Sequence, residues 1–227
     1  MFSEKEQQEI LKKYTDEMEI IKLRTNQIFT AQKRIEYLEP LVEFKALQLR
    51  KVIEQILLAS LIANSSIYKQ YYNRLGSEWN ARLICRDIER INPDFFPKAA
   101  INQPDEMKID DAKESMSSEE LIAIYEKMGK LLHSHNPFSD PIDYNSLSSY
   151  IDESCKNIIG LLNIHTVKMI GGDAFLFVVM NASNHNGHVA INWFQKCDEE
   201  EQMLFFRNNT VSFEHGEEGV TNGKETL

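Results

Sequence analysis

Residues 125–138 read Tyr-Glu-Lys-Met-Gly-Lys-Leu-Leu-His-Ser-His-Asn-Pro-Phe, which sets His133, His135 and Asn136 just past an apolar helical run. Imidazole takes and gives protons near neutral pH, so two imidazoles beside a carboxamide are a candidate proton-transferring group. Lys130, three residues before His133, adds a cation suited to anionic oxygen. A second polar constellation is Arg50 with Glu54, four residues apart among Leu47, Leu49, Val52, Ile53 and Ile56. One helical turn separates them, and the apolar setting encloses the guanidinium enough to require an anionic or carbonyl partner. The plain reading is an intrahelical ion pair. The sharper one has Glu54 orient Arg50 toward the His133 end of the later helix, where guanidinium and imidazole together hold a phosphate, with Lys130 and Asn136 as further phosphate ligands.

The segments Leu49-Arg-Lys-Val-Ile-Glu-Gln-Ile-Leu and Gly129-Lys-Leu-Leu-His-Ser-His-Asn resemble the two central helices of HEPN-like domains, helical modules of prokaryotic toxins and antiviral systems. The resemblance spans at most residues 38–163. It implies a helical bundle acting in a defence or regulatory system, either as an interaction module or as a metal-independent endoribonuclease whose site is often completed across a dimer. Members that cut RNA carry an Arg followed four to six residues later by His. This chain has no Arg between Arg90 and Arg207, so Lys127 and Lys130 stand before His133 and His135 instead. Lysine neutralises phosphate but lacks the bidentate fork of arginine. In the cleaving form, a ribose 2′-hydroxyl attacks the adjacent phosphate, His133 or His135 moves the proton, and Arg50 or Lys130 stabilises charge. In the interaction form, the same scaffold docks another protein.

The elements that would position these residues follow from periodicity. Ser3 with Glu6 makes a capping box that opens a helix to about Gln32, striped by Ile10, Leu11, Tyr14, Met18, Ile21, Ile28 and Phe29. Such a stripe needs a helical partner, either within its own chain or, through this N-terminal helix, on a second subunit or another protein. Pro40 marks the start of a strongly apolar helix, Leu41 through Ala63. Short helices are expected at Ile67–Arg74 and Glu78–Ile91. Asn92-Pro93 stops the latter, and the aperiodic stretch to Ser117 reads as a surface connection. Ser117 with Glu120 repeats the capping box ahead of a helix ending by Asn136, and another spans about 143–162. Then come runs rich in Val, Ile and Phe: His165–Ile170, Ala174–Met180, His188–Phe194 and Gln202–Arg207. Gly171-Gly172-Asp173 is the turn between the first two.

The fold class expected is therefore mainly α with a small C-terminal antiparallel β unit (α+β). Its parts are the long helix 1–37, a bundle over 38–163, a β-rich hairpin or meander over 164–213, and an acidic tail over 214–227. The net charge of −10 argues against a surface built mainly for nucleic acid. Yet residues 45–90 hold eight bases against four acids, whereas 198–227 hold eight acids against two bases, so RNA remains a candidate for one face. Cys85, Cys155 and Cys197 are odd in number and far apart, which suits reduced thiols in a cytoplasmic protein. His185 and His188 flank Asn186-Gly187 as turn residues do, so neither metal nor cofactor is expected. No apolar run is long enough for a membrane span, and the charged first residues do not suit a signal peptide.

Overall fold

The computed structural model describes residues 2–65, 80–103, 106–109, 116–133, 138 and 140–195. Helix α1, Glu4–Thr30, opens with the expected box: Ser3 Oγ accepts from Glu6 N, and the Glu6 carboxylate accepts from Ser3 N at 2.9 Å. Its buried residues, among them Ile10, Leu11, Tyr14, Met18, Ile21 and Ile28, recur at three- and four-residue spacing and form one face. That face lies mainly against α2, Leu38–Ala63, with lesser contacts to the helix Tyr144–Leu162 and the strand Ala190–Gln195. The apolar stripe of α1 thus finds its helical partner within the chain.

Helix α2 follows a short 3-10 turn, Ala31–Lys33, and begins three residues before the expected Leu41. Pro40 falls in its first turn, where a missing N–H breaks no intrahelical bond. Fifteen of the 26 residues of α2 are buried, so it is the axis around which the other helices pack. Helix α3, Ala81–Ile91, starts where Asn80 Oδ1 accepts from Leu83 N, within the expected span Glu78–Ile91. Helix α4, Ser118–Leu131, carries the second capping box, and α5, Tyr144–Leu162, is capped by Asp143. Both α4 and α5 lie against α2. The expected helix at 67–74 and strand at 202–207 lie outside the described residues.

The stretch expected to be a surface connection holds two strands instead: β1, Lys98–Gln103, and β2, Glu106–Ile109. Lys-Ala-Ala-Ile-Asn-Gln has little strand signal of its own. It becomes a strand by pairing with β3, Ile164–Lys168, in the register Lys98↔Thr166 and Ala99↔His165. Tertiary pairing overrides weak local preference here. With β4, Ala174–Val179, and β5, Ala190–Gln195, the sheet is antiparallel throughout in the order β2-β1-β3-β4-β5. Gly171 and Gly172 take φ of 92° and 73° in the β3–β4 turn, which needs left-handed backbone at both positions. The molecule is mainly helical with a small antiparallel sheet, an α+β fold, and the sheet draws one hairpin from the middle of the chain.

One apolar cluster runs continuously from Ile10 in α1 to Trp193 in β5. Buried polar groups pin its elements. Asn64, at the end of α2, accepts from Asn92 Nδ2 and Ile170 N through Oδ1, both at 3.0 Å, and donates to Ser60 O at 2.8 Å. Asn92 also donates to Lys168 O. Asn64 and Asn92, the latter expected only to stop a helix, thus tie α2 and α3 to the β3–β4 turn. Lys45, 4% exposed, reaches both oxygens of Asp152 at 2.9 and 3.0 Å and so joins α2 to α5. Among the described residues, no helix is long and apolar enough to cross a membrane.

Candidate functional site at the α2 and α4 contact

Arg50 and Glu54 lie one turn apart on α2, Nε to Oε1 at 3.5 Å, as their spacing requires. The closer partner of the guanidinium comes from α4. Arg50 Nη2 donates to the Tyr125 hydroxyl at 2.6 Å, and its Cζ lies 4.3 Å from the centroid of the same ring. The Tyr125 hydroxyl in turn donates to Glu54 Oε1 at 3.4 Å, while Lys51 donates to Glu54 Oε2 at 2.7 Å. One carboxylate with a side chain only 10% exposed therefore serves two cations and a phenol. Burial is the main cause that holds the Tyr125 phenol above its ordinary pKa, so it stays protonated and able to donate.

Gly129, one turn after Tyr125, makes the approach of Arg50 to α4 feasible. A Cβ at position 129 would lie 2.6 Å from Arg50 Nη1. The guanidinium occupies the space that a side chain would fill, and His133 follows four residues later. His133 is exposed, and its N–H donates to Lys130 O at 3.4 Å. Lys130 is exposed as well, in the last turn of α4. His135 and Asn136 lie outside the described residues. Lys127 is engaged with α5: its Nζ lies 3.4 Å above the Tyr150 ring.

The arrangement thus brings Arg50, Lys51 and Glu54 of α2 against Tyr125 and Gly129 of α4, with Lys130 and His133 one turn along. In the sequence Tyr125 stands out only as the first residue of the segment that leads to His133 and His135. The available signal was Gly129, since an isolated glycine inside a helical pattern often marks a close packing contact.

Among the described residues, the other histidines, His165, His185 and His188, have structural settings. His165 is fully buried in β3: Nδ1 contacts Leu162 O at 2.7 Å and must donate there, leaving Nε2 to accept from the Tyr14 hydroxyl at 2.9 Å. Burial lowers its pKa to about 4, which keeps it neutral. His185 ends a 3-10 turn, and Asn186 and Gly187 take positive φ before His188, which meets Glu19 at 3.2 Å. Among the described residues, no three His, Cys, Asp or Glu side chains converge as metal ligands would. Cys85 and Cys155 are buried, and burial pushes their thiols up to about 11 and about 12. Comparison with protein-family models, curated proteins and solved structures finds no match to this chain.

Proposed function

We propose that this chain is a HEPN-like interaction module of a prokaryotic defence or regulatory system, which docks a protein partner and does not itself cut RNA. The observation that carries this reading is the engagement of Arg50. Its guanidinium is hydrogen-bonded to Tyr125, paired with Glu54 and seated on Gly129, so it braces α2 against α4. A phosphate taken up there would have to compete with a buried carboxylate and displace the phenol. The net charge of −10 weighs the same way against a nucleic-acid surface. The family assignment rests on the resemblance of residues 49–57 and 129–136.

One observation favours a second reading, that of a metal-independent endoribonuclease. Arg50 remains 30% exposed in its side chain and sits against Gly129, which on α4 directly precedes Lys130 and comes one turn before His133, with Lys51 next to it on α2. A 2′-hydroxyl attack assisted by His133 or His135 and stabilised by Arg50 needs groups of these kinds. The deciding experiment is incubation of the purified protein with mixed cellular RNA and tRNA in chelator. The interaction reading predicts no cleavage by wild type. Cleavage that falls about 10² or more in Arg50→Ala and His133→Ala, with folding intact, would overturn it in favour of the nuclease.

A further inference from the structure

A cleft of about 560 Å³ lies between α1, the end of α5 and the residues that follow β4, remote in sequence from the Arg50 brace. Its floor is apolar: Ile158, Leu162 and Met180 are each no more than 5% exposed, and Phe29 is partly buried. Two large apolar side chains flank its opening, Leu23 at 58% exposed and Ile159 at 38%. The volume falls within the range of about 300–1,000 Å³ that holds small organic ligands.

Charge decides what kind of occupant fits. The two ionic groups lining the cleft, Glu19 and Lys22, are already matched. They pair at 3.1 Å, Glu19 also accepts from Val189 N at 2.8 Å, and Lys22 donates to Gly187 O at 2.7 Å. These hydrogen bonds help hold the Glu19 carboxyl below its ordinary pKa despite burial, so it stays ionised and paired. Neither charge is free for a ligand. The polar groups left are the carboxamides of Asn26, Asn163 and Asn181, which are exposed and make no side-chain hydrogen bond to any described residue. Carboxamides both donate and accept, and they carry no charge.

We infer that this cleft binds a small uncharged molecule with an aliphatic or aromatic body and a carbonyl, hydroxyl or amide edge. The body lies on the floor of Phe29, Leu162 and Met180, and the polar edge meets the asparagine rim. An ionic ligand would find no free counter-charge and would lose its own hydration, which disfavours it.

The probe is the neutral fluorophore N-phenyl-naphthylamine, titrated into the full chain. Wild type should give saturable, blue-shifted emission with one site per chain. Leu23→Glu combined with Ile159→Glu should weaken binding about tenfold or more, because it sets carboxylates beside the apolar floor. Leu83→Glu, at an α3 position of similar exposure (40%) that does not line the cleft, should bind as wild type does. Should the double variant fail to fold, Leu23→Gln alone is read, with an expected weakening of several-fold. Non-saturable emission would overturn the inference, as would equal binding by wild type and the folded cleft variant.

Discussion

Arg50 donates to a phenol on a neighbouring helix because position 129 has no side chain. Gly129→Ala therefore tests two opposed effects. Alanine favours a helix interior over glycine by about 1 kcal/mol, whereas its Cβ pushes on Nη1, the tip of a flexible side chain, and weakens the hydrogen bond that Nη2 makes to Tyr125. The two effects nearly offset, so the expected change in urea denaturation is within about 1 kcal/mol of zero, well short of a core truncation. Arg50 and Glu54 were legible because i,i+4 spacing on an apolar helix demands a relation between them. Tyr125 was not, since a tyrosine on a periodic face looks like core whether or not its hydroxyl has a partner.

His165 gives a pH prediction at the same scale. Its folded pKa, about 4, lies below the ordinary 6.5, so between these values the unfolded chain binds the extra proton. Its contribution to stability is complete above pH 6.5 and is lost as pH falls toward 4, by about 3 kcal/mol. Glu17, raised by burial, acts in the opposite sense just above pH 4.5. Comparison with His165→Gln isolates the histidine: the stability gap between the two proteins should narrow as pH falls from 6.5 to 4. A constant gap would assign the acid response to other groups.

Between elements, the ties are polar side chains whose partners lie far along the chain. Lys45 and Asp152 join α2 to α5, with Lys45 4% exposed and the Asp152 side chain 33%. Removing the cation with Lys45→Met leaves a half-solvated carboxylate and an apolar stem of similar length. Removing the anion with Asp152→Ala strands a buried ammonium whose remaining side-chain hydrogen bond among the described residues is to Ser148. The second should cost about 2 kcal/mol more than the first, read from chemical denaturation. Asn64→Ala should cost about 3 kcal/mol, because Asn92 Nδ2 loses one acceptor and Ile170 N is left without this one. Helices α1, α2, α4 and α5 were legible from caps and periodicity, to within a few residues at their starts. The hairpin β1–β2 was not, because its strand character comes from pairing with β3 across more than 60 residues of sequence.

At the scale of the molecule, the continuous apolar cluster places the long N-terminal helix in the same core as the bundle and the sheet. Caps and helical periodicity indicated the mainly helical class, and runs rich in Val, Ile and Phe the change to strands near residue 164. It could not give the strand order, since local pattern does not say which earlier segment pairs with β3. The stripe of α1 illustrates the same limit: periodicity demanded a partner helix, and the partner is α2 of the same chain.

Arg50 can serve a ligand only if it is not committed within the chain. A double-mutant cycle of Arg50→Ala with Tyr125→Phe, followed by urea denaturation at neutral pH, measures this directly. The brace predicts that each single change destabilises and that the two are coupled by about 1–2 kcal/mol. Coupling near zero, with Arg50→Ala as stable as wild type, would mean that Arg50 does no structural work and is free for a ligand, which contradicts the account.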